Sequence, residues 1–389
     1  MEKEDARKKE VLRMLGKLSL RQLLDLLIPG EEDDEIEEEE FEEQIRPLRP
    51  LPKNGPKKPG GRKIYEMPPM VEEQYRQALR SGSDHLRKWV ATIRDLPQWT
   101  TETGPADGAF IARCRSVWER EICGLDQVFD KLLLHAVEHA CTGMTRPILL
   151  TGIPGCGKTK AARTFALMLS LPCHYINAPR ASRGRGLGGE PNSVVCSGPG
   201  AVAEGMCLTH CGNPELLFDE VDKIPERTSM GGDLQNDLLD LTDESASSFS
   251  DHFLGFPVNA LYCPKVLTAN DPDFVSQPLL DRCDVIGFPA CDRDQISQIL
   301  RRHTIPETMA RFGCDSTVSF APGVVDQLTD RLYRQGVRSV RPYQTLIEDM
   351  VSAGYLSHVK GGGAVTLTQR ELEGSLQCRD RLTRSAIGF

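Results

Sequence analysis

Gly152, Ile153, Pro154, Gly155, Cys156, Gly157, Lys158 and Thr159 form a run whose residue types suit a phosphate cradle. Glycines let backbone N–H groups curl around phosphate oxygens without side-chain clash. The run follows the apolar stretch ILL and precedes a helical one, AARTFALMLS. The N-terminus of that helix adds partial positive charge at the same place. Lys158 is placed to reach the β- and γ-phosphates of a nucleotide, and Thr159 to ligate Mg2+; Lys160 extends the cradle into the helix. The chemistry read from this segment is binding of ATP with Mg2+.

A second set of groups stands sixty residues beyond Thr159, where Glu215-Leu-Leu-Phe-Asp-Glu220 ends an apolar strand with two carboxylates. In an open α/β sheet, ligands bind outside the carboxyl ends of the strands. Asp219 is expected to hold the Mg2+ shell, directly or through water. Glu220 is expected to polarise the attacking water as general base. Acids commonly follow strands and are simply solvated, so the spacing from the cradle gives this pair its weight. Lys265-Val-Leu-Thr-Ala-Asn270 ends a further strand in an amide that could orient water beside the γ-phosphate, although Asn at such a place is most often a turn former. Pro278-Leu-Leu-Asp-Arg-Cys283 carries Arg282, which taken alone reads as a surface charge.

These groups need a scaffold. From residue 147 onward short apolar runs alternate with helical segments, the pattern of a parallel α/β sheet. The strand expectations are Pro147–Leu150, His174–Asn177, Leu216–Phe218, Lys265–Ala269 and Val285–Phe288. Residues 70–95 and 107–142 read as helical, separated by a break after Leu96-Pro-Gln-Trp99. Residues 291–356 read as mostly helical, and Ala364–Leu367 as one short β-like run. Residues 1–30 read as an amphipathic helix stopped by Pro29-Gly30, either docked on its own chain or on a partner. The acidic block 31–43 and the Pro-, Gly- and Lys-rich stretch 45–69 read as disordered linker.

The 389 residues carry a net charge of −9, which disfavours a general nucleic-acid binder. No apolar stretch is long enough for a transmembrane helix, and the N-terminus lacks a signal-peptide core. Thirteen cysteines, odd in number and irregularly spaced, fit free thiols in a reducing cytoplasm. Cys207, His210 and Cys211 have a spacing that could suggest zinc, but no second ligand pair follows, so packing residues are the preferred reading. His135 and His139 lie four apart and read as helix-face residues. Cys156 could be a redox-sensitive thiol within the cradle, but is more simply a tolerated small residue.

Taken in order, GIPGCGKT, LLFDEVDK, SDHFLGFP, VLTAN, PLLDRCDVIGFPA and GVRSVR resemble the AAA+ module of Lon-type ATP-dependent proteases. The resemblance covers roughly residues 85–378. It implies a P-loop NTPase fold: a parallel sheet with helices on both faces over 120–289, then a helical lid over 290–378. Residues 70–119 lead into the module, 1–69 precede it, and 379–389 form a tail. It further implies that Asn270 senses the γ-phosphate, that Arg282 is an arginine finger donated to a neighbouring subunit, and that Arg338 is a second sensor on the lid. A trans-acting Arg282 implies a homo-oligomer, expected as a hexameric ring. Residues 194–200 and 227–233 fall where the family has pore loops. Val194-Val195 stand where an aromatic residue is usual, which weakens the expected grip on polypeptide. The chain ends at Phe389, about where the family's Ser-Lys peptidase would begin, so no protease activity is expected of this chain alone. The leading functional expectation is an ATPase that remodels or unfolds polypeptide. The alternatives are a nucleotide-dependent switch or scaffold, and the ATPase subunit of a split protease with a separate peptidase partner.

Overall fold

A computed structural model describes residues 61–81, 86–182, 185–193, 197–224 and 234–376. The expected N-terminal helix, the acidic block, residues 45–60 of the expected linker, Val194-Val195, the stretch 227–233 and the tail lie outside the described residues; residues 61–69, read as linker, are instead ordered, with Ile64 and Tyr65 buried and Lys63 bridged to Trp99. Those described all belong to one compact unit, Pro50–Phe389.

Four helices precede the sheet: α1 (Pro69–Ser81), α2 (Arg87–Asp95), α3 (Gly108–Glu121) and α4 (Asp126–Thr142). Asp107 caps α3 by accepting from the Phe110 N–H, and Gly143 ends α4 in a left-handed conformation that only glycine adopts without strain. The stretches read as two long helical regions are thus four helices.

The central sheet has five parallel strands. They are β1 (Ile148–Thr151), β2 (Cys173–Asn177), β3 (Glu215–Asp219), β6 (Lys265–Ala269) and β7 (Asp284–Gly287), in the order β2-β3-β6-β1-β7. A separate hairpin pairs β4 (Phe249–Asp251) with β5 (Phe256–Val258). Every residue of β1 and β6 is buried, so both faces of the sheet are covered, as parallel strands require. On one face α5 (Lys158–Leu169) packs with α3 and α4. Trp118, Phe129, Leu132 and Phe165 meet Ile148, Leu150, Leu217 and Val266 there. Elsewhere α7 (Ala201–Thr209) lies against β2, after the single turn α6 (Ala178–Ala181). Because β1 sits between β6 and β7, the loop after it opens in the interior of the sheet's carboxyl edge rather than at its end.

Short helices α8 (Leu234–Leu241) and α9 (Gln277–Arg282) complete this part. A second apolar core follows. It is built from α10 (Arg293–Ile299), a π-turn (Leu300–Thr304), α11 (Ile305–Phe312), α12 (Val324–Arg334) and α13 (Arg341–Gly361). Ile296, Leu300, Leu328, Tyr343, Ile347 and Met350 fill it. The region is not all helical: β8 (Val318–Phe320) pairs in parallel with β9 (Val365–Leu367), and only the second of these strands was legible in the sequence. Gly354 of α13 permits this pair to approach, since a Cβ there would lie 2.8 Å from the Leu367 side chain.

One buried carboxyl stands at the amino end of β3. Glu215 is fully buried, and neither of its oxygens has a hydrogen-bond partner. Burial pushes its carboxyl up to about 8, against weaker opposing influences from Cys173 and Arg163. A carboxyl with a raised pKa in the fold contributes stability that is complete below its unfolded value and is lost as pH rises through its folded value. Glu215→Gln stays neutral throughout. Thermal melting from pH 5 to pH 8.5 should show the wild type losing ground to the variant by about 5 °C. Parallel curves would refute the assignment.

Candidate nucleotide site

The loop between β1 and α5 takes positive φ at Gly152, Gly155 and Gly157. Gly152 has no alternative, since a Cβ there would stand 2.8 Å from the Phe288 carbonyl oxygen. The loop closes around the buried ammonium of Lys158. Its Nζ donates to the carbonyls of Gly152 at 2.6 Å and Ile153 at 3.1 Å, and to Oδ1 of Asn270 at 3.0 Å. Burial lowers the Lys158 pKa, and the nearby Arg341 charge lowers it further; Cys156, Asp222 and Asp219 oppose the shift. Cys156 is itself buried, which pushes its thiol up and keeps it protonated at neutral pH. A redox role for it is thereby disfavoured.

Thr159 lies in the first turn of α5 and donates through Oγ1 to Oδ1 of Asp219 at 3.1 Å. Two further hydroxyls fix that carboxylate: Thr268 donates to Oδ1, and Tyr175 to Oδ2 at 3.0 Å. Thr268 also accepts from the Glu220 backbone N–H at 3.1 Å. Glu220 itself has φ +62, a left-handed conformation rare outside glycine, which marks a sharp turn directly after β3. Its Oε1 lies 2.5 Å from Nζ of Lys223, both side chains being partly exposed. Asp222 accepts from the backbone N–H of Asn270 at 3.0 Å and so holds the end of β6 against β3.

The residue set fits the expected ligands. Thr159 and Asp219 offer hard oxygens side by side, the donor chemistry Mg2+ takes. One buried oxygen of Asp222, Oδ1, has no partner beside them. The loop is open at Gly157, with nothing within 4 Å of where its Cβ would be. Lys158 offers a buried ammonium with the chemistry that phosphate oxygens take.

The fold therefore gathers Gly152 through Thr159, Asp219, Glu220 and Asn270 at one edge. Three expected participants stand apart. The Lys160 side chain turns toward His303, at 3.4 Å, and Glu307, at 3.6 Å, of the helical part. It can offer the cradle only its backbone N–H. Arg282 ends α9 with Nη1 donating to the Pro278 carbonyl at 2.9 Å and Nη2 3.6 Å from Asp243. Arg338 folds back on α12, where Nη1 donates to the Tyr333 carbonyl at 2.6 Å and the guanidinium stacks 3.6 Å over the Tyr333 ring.

Tyr175, Thr268, Asp222 and Arg341 are participants that the sequence did not single out. Tyrosine and threonine inside strands read as ordinary β-formers. Asp222 had a signal, since it stands between two motif residues and the next turn. The suspected zinc trio is dispersed. Cys207 donates to the Thr92 carbonyl, Cys211 lies against Thr101 and Asn213, and His210 caps α7. His135 and His139 both turn inward, to Thr145 and to the Tyr262 carbonyl respectively.

Comparison with known proteins supports the same reading. The family described as ATPase family associated with various cellular activities (AAA) matches residues 148–289. Lon protease of Treponema pallidum is 27% identical over 259 residues, 65% of this chain and 29% of that protein. The peroxisomal Lon protease homolog 2 of Pichia angusta is 26% identical over 81% of this chain and 37% of its own length. Lon protease of Magnetococcus marinus is 29% identical over 67% of this chain and 32% of its own. The chain thus spans about a third of the length of these relatives. With a five-stranded parallel sheet and a glycine-rich loop after an interior strand, residues 148–289 match the AAA family, in a chain that resembles the ATPase region of Lon proteases.

Proposed function

We propose that this chain binds Mg-ATP at the β1–α5 loop, hydrolyses it, and uses the cycle to remodel or unfold polypeptide within a homo-oligomeric ring. The observation that carries the first part is the convergence of Lys158, Asn270, Thr159 and Asp219 within hydrogen-bond reach at the carboxyl edge of the sheet. ATP, with Mg2+, would supply the phosphoanhydride bond whose cleavage drives the cycle.

Each side chain has a task that follows from its place. Lys158 exchanges the carbonyls of Gly152 and Ile153 for phosphate oxygens, a charge-assisted and stronger set of bonds. Thr159 and Asp219 would hold the metal, with Thr268 and Tyr175 fixing the orientation of Asp219. Glu220, released from Lys223, takes the proton of the attacking water. Asn270 connects the γ-phosphate environment to Asp222 and hence to the turn after β3. Arg282 completes the site of a neighbouring subunit, and residues 290–378 act as the lid.

Polypeptide remodelling is the reading favoured by similarity to the Lon proteases. A nucleotide-controlled switch has one observation in its favour, the pairing of Glu220 with Lys223, which withholds the base and would slow turnover. The discriminating experiment is the steady-state ATPase rate of the purified chain with and without unfolded casein, with Glu220→Gln as blank. Stimulated turnover supports the remodelling motor. ATP binding with slow turnover indifferent to casein would replace it with the switch.

A further inference from the structure

A cavity of about 330 Å³ stands at the amino edge of the sheet, the edge opposite the nucleotide loop. Its walls include residues that lead into strands: Gly143 ahead of β1, Asn213 ahead of β3 and Tyr262 ahead of β6. The strand order sets those three starts side by side, with β6 between β1 and β3. The stretch 100–105 forms a further wall. Asn213 pins it, accepting from the Thr101 N–H at 2.6 Å and donating to the Thr101 carbonyl at 3.0 Å. Arg62 joins through its backbone, whose carbonyl accepts from the Thr100 N–H at 2.9 Å.

The surroundings are rich in basic groups and poor in acids. The Arg62 guanidinium stacks 4.7 Å over the Tyr262 ring, and no carboxylate pairs with it among the described residues. It reaches the end of α4, where a Cβ of Gly143 would stand 3.3 Å from its Cζ. A helix carboxyl end offers only about half a negative charge, so Arg62 stays undercompensated. Lys265 is buried, donates to the Leu261 carbonyl at 3.2 Å, and likewise has no carboxylate among the described residues. His139 lines the cavity and is 1% exposed, with Nε2 3.4 Å from the Tyr262 carbonyl and Nδ1 buried without a partner. Burial holds its pKa down, and the charges of Lys265 and Arg62 lower it further; the Tyr262 carbonyl and Glu138 oppose the shift. The one acid in the lining, Glu102, is exposed.

An oxyanion answers these features together. The guanidinium fork matches the paired oxygens of a carboxylate or a phosphate. Its position over an aromatic face fixes it before any ligand arrives. Thr103 adds a hydroxyl to the lining. A negative charge there would also offset the mutual repulsion of Arg62, His139 and Lys265. We propose that this cavity is a second binding site, separate from the nucleotide loop, for a small molecule bearing a carboxylate or phosphate group, held by Arg62 and the 100–105 stretch. Ligand pockets run from about 300 to 1,000 Å³, so the volume suits a small molecule. The site stands whether or not the loop takes ATP.

The test uses the full chain with citrate and inorganic phosphate as probes, followed by calorimetric titration and by backbone hydrogen exchange. A probe should bind and slow exchange in 100–105 and 139–143. Binding of citrate alone would mark the ligand as a carboxylate, and binding of phosphate alone as a phosphate ester; either supports the site. Arg62→Gln should weaken the probe about tenfold or more. Arg62→Lys should recover part of the affinity, since the charge returns without the fork. Melting each variant without probe checks that the fold survives. Thr103→Val, which leaves the contacts of Arg62 intact, should also weaken the probe. Failure of both probes to bind, equal binding by Arg62→Gln and the wild type, or protection confined to 152–159 overturns the proposal. In the last case the anion sits in the nucleotide loop instead.

Discussion

Arg282→Ala, assembled as a pure oligomer, should lose about 10³-fold or more in ATP turnover while its ATP affinity falls far less. The guanidinium stands at the end of α9, held by the Pro278 carbonyl and loosely by Asp243, and no bond ties it to Lys158 or Asp219 of its own chain. A finger acts on the charge that develops as the γ-phosphoryl group departs, so its loss shows in kcat. Mixing provides the stricter check. A ring containing both Arg282→Ala and Glu220→Gln subunits holds some interfaces where an intact Glu220 meets a neighbour's intact Arg282. Such mixtures should regain turnover that neither variant has alone. Normal turnover by the pure Arg282→Ala oligomer would end the trans assignment, and no recovery on mixing would move Arg282 to its own subunit's site.

Glu220→Gln should lower turnover by about 10²–10⁴-fold, the usual contribution of a positioned general base. Glutamine keeps the volume of the side chain and loses only its capacity to take a proton. The groups proposed to hold the nucleotide, Lys158, Thr159 and Asp219, make no bond to that carboxylate. Bound ATP should therefore persist, and gel filtration followed by nucleotide analysis would detect it as ATP rather than ADP. If the variant failed to bind ATP, Glu220 would be a structural group of the turn after β3, where its left-handed backbone already stands out.

The parts of this site that were legible in the sequence are those whose chemistry constrains residue type over short distances. Gly152 to Thr159 can be read because a phosphate loop needs glycines and a lysine at fixed separation. Asp219, Glu220 and Asn270 can be read because each terminates an apolar strand. The hydroxyls of Tyr175 and Thr268 could not, since nothing local says that β2 and β6 flank β3 and aim both at one carboxylate. That Arg341 rather than Arg338 lies against Gly155 was also hidden. The segment GVRSVR offers both, and which one meets Gly155 depends on where α13 begins. That start is set by Pro342 in its first turn and by docking of Val340 on the loop. β8 escaped notice for the same reason: three residues with no local signal become a strand only through a partner 47 residues away, Val318 against Val365.

That distant pairing has a consequence for how the molecule comes into being. A parallel strand pair cannot close until the intervening chain is complete, and the entropy of joining its ends must be met before any contact rewards it. During synthesis the apolar faces of α10 and α12 emerge well before Leu367, which lies in the same core. The sheet of residues 148–287 can bury its strands while this later part still waits. Until Leu367 has emerged, the apolar faces of α10 and α12 lack part of their cover, and that intermediate is a stage exposed to aggregation.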